Sequence, residues 1–321
     1  MVILDGTNSS LVPGDETNAG ILFKLLRETH PATHLSLHYE AGVQWESWRQ
    51  TPNVVSGYGI NGRIRRAYGA LASRYRPGDR IFLFGFSRGA YAVRSLAGII
   101  GSVGLLTPAK STERNIRQVF RHYERSPSAA VAADFKRLHC QADVPIEVIG
   151  VWDTVKALGI RLPLLWTLTE HKHLFHNHAL GPHVRRGFHA LARDERRLVF
   201  QPVLWETPDG FDGRVEQVWF RGTHGDVGGQ LHGKNAARPL SNIPLVWMLS
   251  RAEASGLVLP QDWRKRFECD VRAPSVGMNH KWGKLFLARR DRPIGTDPSE
   301  RMHPTAVRGE ADDPATAELL A

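Results

Sequence analysis

A serine in a glycine-flanked turn is the clearest candidate for chemistry in this sequence. The segment GFSRG at 85–89 matches G-x-S-x-G, with a strongly hydrophobic stretch before it and a small-residue stretch after it. A strand that runs into this pattern and a helix that leaves it are typical of a nucleophile elbow. The two glycines let the backbones pass closely, and the tight turn points the Ser87 hydroxyl away from the sheet. In the alternative, Ser87 only caps the helix that follows.

A serine hydroxyl is a weak nucleophile, so the site also requires a histidine base and an acid that orients the histidine. His224 lies in the glycine-rich segment RGTHGDVGG at 221–229, just after a predicted strand, and Asp153 ends another predicted strand. The order serine, aspartate, histidine is that of the α/β-hydrolases. Asp153 could instead cap a turn or a helix, and Asp194 and Asp226 are rival acids.

An oxyanion hole needs two backbone N–H groups that point at the developing negative charge. Arg88, directly after the serine, would supply one of them at the start of a helix. Gly6 or Thr7, in the turn after the first predicted strand, would supply the second, and Asp5 and Asn8 would brace that turn. This chemistry needs no metal and no cofactor, and we predict neither.

The elements that must position these residues are predicted from hydrophobic periodicity. Strands and helices alternate, which indicates an α/β fold with a mostly parallel central sheet flanked by helices. The stretch RIFLFGF at 80–86 is apolar on both faces, as in the middle of a parallel sheet. The predicted strands lie at 2–4, 35–39, 80–86, 146–152 and 215–221, and the predicted helices at 18–30, 61–75, 88–104 and 243–255.

We predict one catalytic domain over residues 1–260 and a C-terminal extension over residues 261–321. A segment rich in Leu, His and Pro at about 160–185 is interpreted as an insertion or cap. From about residue 304 the chain is small, acidic and contains proline, so we expect that end to be partly loose.

The chain of 321 residues carries a formal net charge of +10, from 42 Lys and Arg against 32 Asp and Glu. Such a charge attracts polyanions, for example an anionic membrane surface. No nucleic-acid motif accompanies it, so no specific nucleic acid is expected, and a solvated surface without a ligand is the alternative. Many basic residues form short clusters: Arg63, Arg65 and Arg66; Arg185 and Arg186; Arg196 and Arg197; Arg264, Lys265 and Arg266; Arg289, Arg290 and Arg292.

The first residues, MVILDGTNSS, lack the basic and apolar regions of a signal peptide. The longest apolar run, at 95–106, is about half of what is needed to cross a bilayer. We therefore expect a protein that is cytoplasmic when made. Delivery by a secretion system that needs no N-terminal signal stays open.

Several longer motifs follow one another along the chain: DGT at 5–7, TN at 17–18, the stretch 59–98 that ends in GFSRGAYAVRSLAG, GVWDTVKALG at 150–159, FHALARDERRLVFQPVLW at 188–205 and WFRGTHGDVGG at 219–229. In these motifs the chain resembles the catalytic domain of the type VI secretion phospholipase effectors, an α/β-hydrolase family long described as a domain of unknown function. The resemblance runs in order from about residue 2 to 255. Two departures stand out: Asn8-Ser9 replaces the aromatic residue that usually follows DGT, and the common HSDVGGGY reads HGDVGGQL at 224–231.

The resemblance implies a triad of Ser87, Asp153 and His224. It also implies hydrolysis of carboxylic esters through an acyl-Ser87 intermediate, with phospholipase A activity in the members that act as effectors. The implied substrate is a lipid or small ester, and the implied partner class is a secretion-system or immunity protein.

Two other functions stay open on the residues alone. Asp5, Asp153, His224 and Asp226 could surround a cation in a metal-dependent hydrolase, because aspartates at the carboxyl ends of strands suit metal binding. A chain that has lost catalysis could instead act as a basic module that binds nucleic acid or a partner protein. Intact candidates for a triad argue against the second of these.

Overall fold

The central feature of the structure is a seven-stranded parallel sheet in the order β2-β1-β3-β4-β5-β6-β7. The computed structural model describes residues 1–42, 44, 58–125, 129–155, 179–207, 210, 212–278 and 288–307. The strands are β1 (Val2–Leu4), β2 (His38–Glu40), β3 (Ile81–Phe86), β4 (Ile146–Trp152), β5 (Val184–Ala192), β6 (Val215–Phe220) and β7 (Glu300–Met302).

Helices cover both faces of this sheet. Alternate residues along a strand point to opposite sides, and here both sides carry apolar residues that the helices bury. The α-helices are α1 (Asn18–Thr33), α2 (Tyr58–Arg74), α3 (Arg88–Ser102), α4 (Glu113–Arg125), α5 (Ala129–His139), α6 (His224–Gly228) and α7 (Arg238–Ala254). In β3, Ile81 and Leu83 pack with α2, α3 and α4, whereas Phe82, Phe84 and Phe86 pack with α1 and α7. The two apolar layers explain why β3 has no polar face in the sequence.

The direction of chain winding reverses between β1 and β3. The chain leaves β1 for β2 on one side of it, and then crosses to β3 on the other side. In open α/β sheets, ligand sites form at the carboxyl ends of the strands where the winding reverses. Asp5 follows β1 and Ser87 follows β3 at this position. The topology therefore brings the first predicted turn and the predicted elbow to one place.

The α/β fold class predicted from the sequence is confirmed, and in the described residues every strand pairing is parallel. Two strands were not predicted. β5 begins with Val184-Arg185-Arg186-Gly187. Its two exposed arginines interrupt the apolar pattern in the sequence, so the buried residues that follow were not recognised as a strand. β7 is short and has two exposed residues, so its periodicity gives no signal.

The predicted cap and the predicted C-terminal extension can be compared with the structure only in part. The predicted cap at 160–185 lies outside the described residues up to position 178, and its end already belongs to β5. In the predicted extension, β7 joins the central sheet, and Thr305 and Ala306 are buried in a short 3-10 turn at Pro304–Ala306. The domain boundary at residue 260 stays a prediction. Within the described residues, no helix is both long and apolar enough to span a membrane.

Candidate active site

Ser87 occupies a strained turn between β3 and α3. Its φ is 58° and its ψ is −122°, and its amide donates to the Trp152 carbonyl at 3.0 Å. A Cβ on Gly85 would lie 2.6 Å from the Gly89 carbonyl oxygen, and a Cβ on Gly89 would lie 2.0 Å from the Leu4 carbonyl oxygen. Both glycines are therefore needed for the backbones to pass. The Ser87 side chain makes no capping hydrogen bond to α3, unlike in the capping alternative.

The structure brings the three predicted side chains into one hydrogen-bonded line. The Ser87 Oγ lies 2.9 Å from His224 Nε2, and His224 Nδ1 lies 2.5 Å from Asp153 Oδ2. Asp153 follows β4, and His224 is the first residue of α6, just past β6. All three are buried: Ser87 is 6% exposed, His224 is 4% exposed and Asp153 is 0% exposed.

The carboxylate of Asp153 is fully engaged. Its Oδ1 accepts from the Ala192 amide at 3.0 Å and from Arg292 Nη1 at 2.6 Å, and its Oδ2 accepts from Arg292 Nη2 at 2.9 Å as well as from His224. Burial by itself would raise the pKa of Asp153. The charge of Arg292 and the hydrogen bonds from His224 and Arg292 outweigh burial, so the pKa of Asp153 lies well below its ordinary value. An ionised Asp153 accepts only, so His224 Nδ1 carries a proton.

The two rival acids are held by other partners. Asp194 Oδ2 accepts from the Gly222 amide at 2.7 Å, and its Oδ1 pairs with Arg193 at 2.8 Å. Asp226 Oδ2 accepts from the amide and hydroxyl of Thr223, and Ser275 and Val276 donate to the same carboxylate. The carboxylate on the His224 ring is that of Asp153.

The His224 ring lies between two phenylalanine rings. The centroid of Phe200 lies 4.6 Å away with an interplanar angle of 18°, and that of Phe86 lies 4.8 Å away with an angle of 32°. The His224 amide donates to Glu195 Oε2 at 3.1 Å, and Glu195 is paired in turn with Arg197. Ring and backbone of the histidine are therefore both fixed. Sequence reasoning missed Glu195, although it stands in the segment ARDERR.

The turn after β1 is organised by Asp5. The Asp5 carboxylate accepts from Thr17 Oγ1 at 2.6 Å, from the Tyr39 hydroxyl at 2.8 Å and from the Gly6 amide at 2.7 Å. Burial raises the pKa of Asp5 above its ordinary value, against these hydrogen bonds. The Gly6 amide is thus directed at Asp5. In the described part of the chain the Thr7 amide has no protein acceptor, and the Arg88 side chain donates to Thr7 Oγ1.

The sequence of this chain matches a family model over residues 1–251, with the description T6SS, Phospholipase effector Tle1-like, catalytic domain. That match covers well over half of the 321 residues. The chain belongs to the Tle1-like catalytic domain family. The triad candidates Ser87, Asp153 and His224 all lie within the matched residues, whereas Arg292 lies beyond them.

Individual relatives of this Tle1-like domain are distant. It is 28% identical over 231 residues to the uncharacterized protein YEL023C of Saccharomyces cerevisiae. The matched region covers 64% of this chain and 32% of the yeast protein. The crystal structure of an uncharacterized protein from Pseudomonas aeruginosa superposes on this chain with a TM-score of 0.48 and 14% sequence identity. The superposition covers 86% of this chain and 51% of the Pseudomonas chain. A Tle1 effector bound to the VgrG spike of the type 6 secretion system shows 16% identity and a TM-score of 0.36, covering 71% and 50%. This chain therefore spans about a third to a half of these relatives.

Among the described residues, the predicted ligands of a metal-dependent hydrolase are not grouped around a common centre. Within the described residues, no three His, Cys, Asp or Glu side chains are grouped so that they could hold a metal ion. Asp5, Asp153 and Asp226 each direct their oxygens at protein donors. Asp153 and His224 contact each other, whereas Asp5 and Asp226 are held by other protein partners.

Three arginines of the predicted basic clusters are internal. Arg63 donates to the carbonyl oxygens of Asp5 and Glu40, Arg197 pairs with Glu195, and Arg292 pairs with Asp153. Arg292 has a side chain that is 0% exposed. The interpretation of these three as surface charge was wrong, because an arginine that satisfies a buried carboxylate or carbonyl cannot be told from a solvated one by its type. Arg66 and Arg264 of the same clusters are exposed, and they pair with Glu40 and Glu253.

Proposed function

We propose that this chain is a serine hydrolase of carboxylic esters in which Ser87 is the nucleophile, His224 the general base and Asp153 the acid that orients it. The observation that carries the proposal is the hydrogen-bonded line from Ser87 Oγ to His224 Nε2 and from His224 Nδ1 to Asp153 Oδ2. A nucleophile, a base and an orienting carboxylate in contact are the pattern of covalent acyl transfer.

Each proton has a place in this reaction. Because Asp153 holds the proton on His224 Nδ1, the lone pair of Nε2 can take the hydroxyl proton of Ser87 as Oγ attacks the ester carbonyl. The tetrahedral intermediate collapses, and the leaving alcohol takes that proton from Nε2, which leaves an acyl-Ser87 ester. A water molecule then gives a proton to Nε2 and attacks the acyl carbon. The acid is released, and Ser87 recovers its proton.

We assign the oxyanion hole to the backbone N–H groups of Arg88 and Thr7. Arg88 is the first residue of α3, where amide groups and the helix dipole favour negative charge. The Thr7 amide lacks a protein acceptor among the described residues, whereas the Gly6 amide is directed at Asp5. The side-chain contact between Arg88 and Thr7 keeps the two amides of the proposed hole on neighbouring backbone.

Gly42 offers a test of the Thr7 assignment. A Cβ on Gly42 would lie 1.8 Å from the Gly6 carbonyl oxygen and 2.6 Å from the Thr7 nitrogen, so Gly42→Ala must displace that peptide. Loss of one oxyanion donor costs about 10²- to 10³-fold in kcat. We expect a fall of this size with KM nearly unchanged, measured on a short p-nitrophenyl ester.

The matched control for Gly42 is Gly62→Ala, in α2. A Cβ there would meet only the flexible end of Arg66, at 3.5 Å, so kcat should stay at the level of the unsubstituted protein. Thermal unfolding of both variants separates a displaced peptide from a lost fold. A folded Gly42→Ala variant with full kcat would remove Thr7 from the oxyanion hole.

We propose phospholipids as the substrate class, with phospholipase A-like cleavage of an acyl ester. The support is the description of the family as phospholipase effectors. The net charge of +10 would favour an anionic membrane surface. The same description supports a role in type VI secretion. We also propose delivery that needs no signal peptide and a secretion-system or immunity protein as partner, as the resemblance of the sequence implies. Hydrolysis of phosphatidylglycerol vesicles, compared with vesicles of a zwitterionic lipid, tests the substrate.

Labelling by a fluorophosphonate probe tests the proposed nucleophile directly. Such a probe reacts with an activated serine, so we expect stoichiometric labelling at Ser87, identified by peptide mass spectrometry. Because Ser87 is only 6% exposed, labelling also shows that the hydroxyl can be reached. Ser95 provides a control, since this buried serine of α3 donates to the Tyr91 carbonyl and has no histidine partner in the described residues. Absence of label on Ser87 in a folded protein would contradict the mechanism.

A further inference from the structure

We propose that Arg292 is a positioning residue of this active site. Its guanidinium fixes the carboxylate of Asp153, offsets part of its charge, and thereby sets the pH range in which His224 can act as a base. This inference rests on the proposed function. It places part of the catalytic apparatus in a segment beyond residues 1–251, the part matched by the family model.

The geometry of Arg292 is that of a two-pronged clamp. Nη1 and Nη2 donate to the two oxygens of Asp153 at 2.6 and 2.9 Å, which fixes the plane of the carboxylate. Nη1 also donates to the Ala192 carbonyl at 2.8 Å, and Nη2 donates to the Phe200 carbonyl. One buried guanidinium therefore joins the acid, the end of β5 and the residue whose ring stacks on His224.

The contacts of Arg292 are important because the backbone of Asp153 is in an unfavourable conformation. Its φ is 41°, which is uncommon for a residue with a side chain. Its amide donates to the Ala190 carbonyl at 2.8 Å, and the amide of Thr154 donates to His189 Nε2 at 3.1 Å. These bonds fix the backbone, but only Ala192, Arg292 and His224 among the described residues contact the carboxylate.

Charge gives the clamp its second effect. A lone carboxylate beside a histidine stabilises the imidazolium that forms during catalysis. Here a cation contacts both oxygens of that carboxylate, so part of this stabilisation is offset. Without the charge of Arg292, His224 should hold its proton more tightly, and activity should be lost at a higher pH.

Other charged groups around the pair are accounted for by their own partners. Glu195 is paired with Arg197, Asp194 with Arg193, and Asp226 with Thr223 and Ser275. Burial lowers the pKa of His189 to about 3, so His189 stays neutral across the working range. Among the described residues, further charged groups near the site include Arg88, which donates to Thr7 Oγ1, and Arg63, which donates to the carbonyl oxygen of Asp5. None of these changes when Arg292 is substituted.

The test compares Arg292→Gln, Arg292→Lys and the control Arg290→Gln, whose exposed side chain carries the same charge two residues away. We expect Arg292→Gln to lower kcat about 10- to 100-fold, because the acid is no longer held. We also expect it to move the acid limb of the pH profile of kcat/KM up by about one pH unit. Arg292→Lys keeps the charge without the fork, so it should lower kcat and leave the limb in place. Arg290→Gln should match the unsubstituted protein in both.

An acid limb of Arg292→Gln that coincides with that of Arg290→Gln would overturn the inference, whatever happens to kcat. If Arg292→Gln does not fold, Arg292→Lys decides: unchanged kcat, or a limb moved upward, contradicts the clamp. Titration of the His224 ring by NMR, assigned with His224→Ala, gives the same comparison without turnover. If the unsubstituted protein neither hydrolyses esters nor reacts with the probe, the proposed function fails, and the NMR shift alone then decides the role of Arg292.

Discussion

Replacing Ser87 by alanine is expected to lower kcat for ester hydrolysis about 10⁴- to 10⁶-fold. The change removes the Oγ that lies 2.9 Å from His224 Nε2, so no acyl-enzyme can form. Binding of the ester should change little, since one hydroxyl contributes little to ground-state contacts. Steady-state kinetics on a short p-nitrophenyl ester give kcat and KM, and a burst of p-nitrophenol in the unsubstituted protein would report the acyl intermediate.

The fold should tolerate Ser87→Ala. The side chain makes no capping hydrogen bond, although alanine at a φ of 58° is somewhat strained. Ser95→Ala, in the helix α3 that follows Ser87, is the matched control and should keep full activity. A Ser87→Ala protein that hydrolyses esters at the original rate would show that the reaction does not pass through this serine. Such a result would favour hydrolysis by direct attack of a water molecule on the ester.

Replacing Asp153 by asparagine is expected to lower kcat about 10⁴-fold and to destabilise the fold as well. The catalytic loss arises because an amide in place of Oδ2 cannot hold the His224 tautomer that leaves Nε2 free to accept. The loss of stability has a different cause. Arg292, with a side chain 0% exposed, would keep its charge without its counterion. Breaking a buried ion pair on one side costs about 3–5 kcal/mol in the free energy of unfolding.

A double variant separates the two effects of Asp153→Asn. Adding Arg292→Gln removes the uncompensated charge, so we expect part of the free energy of unfolding to return while kcat stays low. Chemical denaturation of the two single variants and the double variant closes the cycle. Equal activity in Asp153→Asn and the unsubstituted protein would exclude Asp153 as the orienting acid. Purely additive losses of stability would show that the pair at 2.6 and 2.9 Å is not energetically coupled.

The pH dependence of stability follows from the same pair. The folded-state pKa of Asp153 lies below its ordinary value, so its ion pair stabilises the fold at any pH above the unfolded-state pKa. This stability is lost as the pH falls through the folded-state pKa, far below the range in which esters would be assayed. An acid limb in activity would therefore report the protonation of the proposed catalytic base rather than unfolding through Asp153.

The amino-acid sequence by itself determined the local part of this site. The glycines around Ser87 and the apolar run before it predict the elbow, because strand, turn and helix there depend on neighbours in the chain. The alternation of apolar and polar stretches predicts the α/β class for the same reason. Ser87, Asp153 and His224 each follow a predicted strand, and parallel strands bring their carboxyl ends to one edge of the sheet. This placement and their order in the chain reduced the number of candidate triads.

Only the tertiary structure decided which groups face each other. Asp153, Asp194 and Asp226 all follow strands or lie beside the histidine loop, and only the packed sheet directs the first at the His224 ring. The Gly6 amide is occupied because the Asp5 side chain turns back to accept from it, and that side-chain direction depends on the packed structure. Arg292 is 139 residues from Asp153 and resembled a surface charge. Its pairing with Asp153 was invisible in the sequence, because burial and pairing are properties of distant segments brought together by folding.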